Sequence, residues 1–234
     1  NPQAYIKNNL VGFSNILEIC RNYDIENLIY ASSSSVYGGN TKLPFNEKQS
    51  VNHPVSLYAA TKKSNELMAH SYSHLFRIPV TGLRFFTAYG PWGRPDMAPM
   101  IFAKAIFEGK PIKIFNNGNM QRDFTYIEDI VEAIYRCSLK PAKSNKIFDS
   151  NNPDPSTSHA PYKLFNIGNS KPINLLEFIE VLEKSLKKKA IKIFLPMQQG
   201  DVINTAADTD ALKSWIGFIP NTSLEKGVGL FARW

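Results

Sequence analysis

The chain has 234 residues, one large domain or one and a half at roughly 100 to 200 residues per domain. Its 43% hydrophobic, 12% aromatic and 20% charged residues, with no repeat or low-complexity tract, exclude a disordered or fibrous chain. Lys plus Arg number 27 against 20 Asp plus Glu, a formal charge of +7, scattered and without the interleaved aromatic and basic residues of RNA binders, so an anionic small substrate is expected and nucleic acid is not.

The longest uncharged runs fall far short of the roughly 20 apolar residues that span a bilayer, so no membrane span is expected. The chain opens on Asn1, Pro2 and Gln3, without an initiator Met or an apolar signal segment, and is expected to be the later part of a longer protein. Ala4 to Arg21 carries Ile6, Leu10, Phe13, Leu17 and Cys20 at helical spacing, and Asn27 to Ser32 is a short apolar run of buried-strand type. A helix over Ser56 to Phe76 and a strand over Pro79 to Phe86 follow, so helix and strand alternate as in an α/β doubly wound parallel sheet.

Beyond Gly90 the pattern changes, and a smaller substrate lobe is expected over 91–234 against a first domain over 1–90, with some later segments returning to it. In that lobe the spacing predicts helices near Pro99 to Glu108, Ile127 to Ser138 and Leu175 to Lys187, strands at Ile112 to Phe115, Lys163 to Ile167 and Ile191 to Leu195, and two short C-terminal helices. Residues 140–161, rich in Pro, Ser and Asn, read as a long surface loop with little order and no chemistry. Four lysines within 184–189 read as the solvated end of a helix. Cys20 and Cys137 sit among apolar neighbours and read as buried small hydrophobes in a reducing, cytoplasmic compartment, and a metal site is not expected.

The chemistry concentrates in one constellation. Tyr58 and Lys62 form Y-x-x-x-K, and an i, i+4 pair in a helix puts both side chains on one face, about 5 to 6 Å apart at Cβ. Tyrosine, with an ordinary pKa near 10, is a poor base at neutral pH, and a neighbouring ammonium favours its phenolate. Upstream, the run Ala31 to Gly38 (ASSSSVYG) sits where a buried strand ends, the place where such sheets bind ligands, and Ser33 is placed to share a proton with Tyr58. Alone, Y-x-x-x-K is a pattern chance supplies, and a serine run after a strand is usually a turn.

Together with LRFFTAYGP, their joint spacing resembles the extended short-chain dehydrogenase/reductase family, specifically nucleotide-sugar epimerases. The resemblance runs through SSSSVYGG, SLYAATKKSNELMA, LRFFTAYGPWGRPDMA, IFNNGNMQRDFTYIEDI, LFNIGN, LPMQQGD and ADTDAL. The stretches GPWGRPDM, RDFTYI and LPMQQGDV are most similar to the branch acting on UDP-glucuronate. The resemblance implies a Rossmann-like fold, an NAD cofactor and epimerisation at C4 of a UDP-sugar, most simply UDP-glucuronate to UDP-galacturonate. Hydride would leave C4 for NAD, give a 4-keto sugar that turns in the pocket, and return to its other face.

Carried over residue by residue, Tyr58 would be the acid and base on the 4-hydroxyl, Lys62 would hold the nicotinamide ribose and favour the Tyr58 phenolate, and Ser33 would bond the same oxygen. Phe85 and Asn9 join Tyr58 and Lys62 as cofactor contacts. A guanidinium binds a uronate carboxylate by paired hydrogen bonds, and Arg94 is the candidate, with Thr87, Ser34 and Ser35 as further donors; pairing of Arg94 with Asp96 is the competing reading. Phe115 would stack on uracil, Arg122 meet the diphosphate, and Asp201 take a ribose hydroxyl, while Arg122 has Asp123 as a competing partner. Family dehydratases carry an Asp-Glu pair where Ser34 and Ser35 stand, which disfavours dehydration.

The family's glycine-rich loop for the NAD pyrophosphate has no counterpart in these residues, and its first strands are expected to precede them. The runners-up are UDP-glucose 4-epimerase, UDP-glucuronate decarboxylase and a catalytically silent fragment. Family members pair through helices corresponding to 4–21 and 57–76, so a homodimer is expected, with Leu67 and Met68 on its outer face.

Overall fold

The computed structural model describes residues 1–198 and 202–234. The chain begins with α1 (Pro2–Tyr5), capped by the Asn1 side chain, and runs through a π-helical stretch Ile6–Val11 into α2 (Gly12–Asn22). β1 (Leu28–Ser33) follows, then α3 (Leu57–Phe76) and β2 (Val80–Phe85). β3 (Thr87–Tyr89), α4 (Ala98–Glu108), β4 (Pro111–Ile114), β5 (Gln121–Tyr126) and α5 (Ile127–Ser138) come next. The last third holds β6 (Tyr162–Ile167), β7 (Pro172–Asn174), α6 (Leu175–Leu186), β8 (Ile191–Phe194), α7 (Asp210–Ile216) and α8 (Leu224–Arg233).

Helix and strand alternate, and β1, β2 and β6 lie side by side, all parallel, in one Rossmann-like α/β sheet. α3 covers one face of this sheet, and α5 with α7 packs on the other through Leu83, Ile130, Phe165, Ile167 and Leu212. β6 thus returns to the first sheet from far along the chain, because a buried parallel strand needs a partner on each side of β2. Two further small sheets are β3–β5–β7 and β4–β8. A second core cluster is built from α4, α6 and α8 around Phe102, Phe124, Phe178 and Phe231.

The predicted helices and strands are present with ends shifted by a residue or two, and the sheet β3–β5–β7 is what the spacing missed. Its strands are short, and β5 is buried from Asp123 to Tyr126, so it shows none of the alternation that marks a half-exposed strand. Residues 140–161 also correct the expectation of weak order. Ser156, Ser158 and Ala160 are buried, the Asn145 amide donates to the Ser158 carbonyl at 2.8 Å, and the Leu164 amide donates to the Ser156 carbonyl at 2.9 Å. The four lysines within 184–189 are exposed at the end of α6, as expected, and the buried Glu183 pairs with Lys189 at 3.2 Å and with Lys192 of β8 at 3.1 Å. Cys20 and Cys137 are buried and unbridged.

Beneath the middle of α3 lies a row of polar side chains. Ser32, Arg84 and Asn166 are register neighbours on β1, β2 and β6. Arg84 donates to Glu66 of α3 at 2.8 Å and 2.9 Å, Ser32 donates to the same carboxylate at 2.7 Å, and the guanidinium lies over the Tyr37 ring at 4.9 Å. Asn166 donates to the carbonyls of Phe45 and Asp208 and accepts from the Tyr37 hydroxyl. The bonds of Ser32 and Arg84 to Glu66 fix α3 to the sheet, while Arg84 Nη1 is buried without a hydrogen-bond partner.

Candidate active site

A cleft of about 860 Å3 opens at the carboxyl ends of β1 and β2. Ser33 and Phe85 end those strands and are paired in register, so sheet geometry alone brings them to one rim. After Ser33 the chain turns through a 3-10 helix Ser34–Tyr37, and the Ser33 hydroxyl accepts from the Ser35 amide at 3.1 Å. α3 starts beside that turn because Ser56 caps it, accepting from the Ala59 amide at 3.1 Å. Tyr58 is thereby set in the first turn and Lys62 one turn on, and Ser33, Tyr58, Lys62 and Phe85 all line the cleft.

Lys62 is half-buried, and burial lowers its ammonium from the ordinary value, with the charge of Glu66 one turn further along partly offsetting this. Among the described residues it makes no ion pair. Its ammonium lines the cleft, where it can donate to an acceptor on a bound molecule. The Tyr58 ring packs on Tyr5 with centroids 5.8 Å apart.

Ser34, Ser35, Thr87 and Arg94 line the same cleft. The loop that carries Arg94 leaves β3 at Gly90, whose φ of 135° suits glycine and where an added Cβ would stand 2.6 Å from Ile127 Cγ2. The Arg94 guanidinium is engaged by Asp96, Nε to Oδ1 at 3.1 Å and Nη2 to Oδ2 at 2.6 Å, so the competing partner weighed from sequence is present. That contact raises the Arg94 pKa, to which the nearby Tyr58 and Tyr5 also contribute.

A second cleft of about 690 Å3 holds Phe115 and shares Met97 and Gln198 with the first. Arg122 lines neither, and donates to the carbonyls of Gln121 and Ile203. Its expected competitor Asp123 is buried and serves two distant segments instead, accepting from the amides of Asn169 at 2.7 Å, Ser170 at 3.0 Å and Ala207 at 3.0 Å. Burial pushes the Asp123 carboxyl up while these bonds pull it down. Asn9 is not among the cleft's lining residues, and its amide donates to Thr61 Oγ1 at 2.9 Å. The expectation for Asp201 lies outside the described residues.

The spacing did not single out Tyr5, Gln198 or Glu66. Glu66 had a readable signal, since it repeats the i, i+4 step from Lys62 and lies on the same helix face. Tyr5 and Gln198 reach the cleft only through the fold.

A sequence profile of the NAD dependent epimerase/dehydratase family matches residues 1–150. Over its whole length the chain is 57% identical to Protein CapI of Staphylococcus aureus, covering 70% of that protein. It is 49% identical to a probable UDP-glucuronate 4-epimerase of Rhizobium meliloti, covering 69% of it. The crystal structure of UDP-glucuronic acid 4-epimerase from Bacillus cereus, in complex with UDP-glucuronic acid and NAD, superposes with a TM-score of 0.83 at 32% identity, over 97% of this chain and 67% of that one.

Proposed function

Since this chain belongs to the NAD dependent epimerase/dehydratase family, we propose that it is an NAD-dependent UDP-sugar 4-epimerase whose substrate pair is UDP-glucuronate and UDP-galacturonate. The observation that carries this reading is that one cleft gathers Ser33, Tyr58 and Lys62 with the Arg94 guanidinium at its rim. Relatives and structural neighbours named for UDP-glucuronate support the uronate over a neutral hexose.

The residues present fit the nicotinamide ribose end of NAD. The half-buried Lys62 ammonium supplies donors for ribose hydroxyls, and Phe85 with Tyr58 offers an aromatic wall. Bound NAD supplies the acceptor, and later the donor, of the C4 hydride. Tyr58 takes the proton of the 4-hydroxyl as oxidation proceeds and returns one when the sugar is reduced on its other face. Ser33, held by its bond to the Ser35 amide, donates to the same oxygen. Arg94, with donors from Ser34, Ser35 and Thr87, receives the C6 carboxylate. Phe115 in the adjoining cleft stacks on the uracil.

The direct experiment incubates the full-length protein with UDP-glucuronate. UDP-galacturonate is the expected product. A UDP-pentose with release of carbon dioxide would mark a decarboxylase, and turnover of UDP-glucose alone would mark a neutral-sugar epimerase. Arg94→Ala is expected to raise KM for UDP-glucuronate by about 10- to 100-fold, the worth of hydrogen bonds to a charged group, with UDP-glucose binding little changed. Equal loss on both sugars would remove Arg94 from the carboxylate site.

A homodimer belongs to the same proposal. Ile16 and Ile19 on α2 and Leu67 and Leu75 on α3 are exposed, Met68 is partly buried, and the two helices pack against each other, so a second copy would cover a shared apolar face. Leu67→Arg is expected to shift the protein from dimer to monomer in sedimentation analysis. A cytoplasmic location is also proposed, supported by the two buried, unbridged cysteines; no helix among the described residues is long and apolar enough to cross a membrane.

A further inference from the structure

Arg94 and Asp96 straddle the two clefts. Arg94 lines the larger one with Tyr58, Asp96 lines the smaller one with Phe115, and Met97 borders both. Their side chains are 69% and 64% exposed, and Pro95 holds the short turn between them. Asp96 engages one edge of the guanidinium, Nε with Nη2, in the arrangement a sugar carboxylate would adopt.

An aspartate carboxylate and a C6 uronate carboxylate are the same chemical group competing for the same fork. We propose that Asp96 is a displaceable internal carboxylate, holding the Arg94 fork in the free protein and yielding it to the substrate carboxylate. This rests on Arg94 being the uronate site. The exchange is feasible because a solvent-exposed ion pair is weak. It is also selective. A neutral hexose presents a hydroxymethyl group, which has no charge with which to displace Asp96, so the pair stays closed and binding does not depend on it. With the fork neutralised between turnovers, small anions compete poorly for it, and a product carboxylate leaves as Asp96 returns.

The test is calorimetric titration of the full-length protein with UDP-glucuronate and, separately, UDP-glucose, in wild type, Asp96→Asn, Asp96→Ala and Arg94→Ala. Both Asp96 variants should bind UDP-glucuronate more tightly than wild type and raise the preference for UDP-glucuronate over UDP-glucose by about two- to five-fold, the range an exposed pair commands. They should also be more sensitive than wild type to inorganic phosphate as a competitor. Unchanged or weaker UDP-glucuronate binding in both Asp96 variants, with selective loss in Arg94→Ala, would overturn the proposal and leave the Arg94 site standing. Absence of selective loss in Arg94→Ala would overturn the site itself, and Asp96 with it.

Discussion

Tyr58→Phe should lower epimerase turnover by about 10²- to 10⁴-fold, the usual worth of a positioned acid and base, while leaving UDP-sugar affinity within a few-fold of wild type. The substitution removes one hydroxyl and keeps the ring, so the contact with Tyr5 at 5.8 Å and the cap that starts α3 persist. Loss of kcat with KM nearly unchanged is the pattern of an interaction made in the transition state. Steady-state conversion of UDP-glucuronate to UDP-galacturonate, with binding measured separately, checks it. A variant retaining a tenth or more of wild-type kcat would take the proton-transfer role from Tyr58.

Arg84→Met should destabilise the fold by about 3 to 5 kcal/mol, the cost of leaving one partner of a buried ion pair uncompensated. Arg84 and Glu66 are almost wholly buried, and the carboxylate would keep only Ser32 at 2.7 Å and Lys63 at 3.3 Å. The double variant Glu66→Gln with Arg84→Met should recover much of that loss, because no buried charge remains. Urea unfolding of the single and double variants decides it, and equal destabilisation by both would contradict the account.

The same pair sets an acid limit. Burial pushes the Glu66 carboxyl up, but the Arg84 hydrogen bonds and charge, aided by Lys63 and Ser32, more than reverse this, and the folded value lies below the ordinary one. A lowered folded value means that the stabilisation is complete above the ordinary glutamate pKa and is lost as pH falls through the lowered one. Wild type should lose stability over that acid window, and the double variant, lacking the carboxyl, should lose less.

Short-range periodicity made much of this protein legible before folding. Alternating helix and strand identified the parallel α/β sheet, and the i, i+4 step placed Tyr58 and Lys62 on one face of α3. A strand end followed by serines marked the rim where Ser33 sits beside Phe85. These features depend on neighbours a few residues apart, whose geometry any helix or strand imposes.

Tertiary structure alone decided the partners of charged groups brought together from afar. Asp123, beside Arg122 in sequence, turns inward to amides at Asn169, Ser170 and Ala207. Ser32, Arg84 and Asn166 become one polar row only when β1, β2 and β6 come into register. Residues 140–161, polar enough to read as unstructured, are ordered because Ser156 and Ser158 are buried and hydrogen-bonded against β6 and α3. Local sequence sets which way a side chain leaves its own element, whereas the partner of a buried charge is chosen by which distant segment can satisfy it without water.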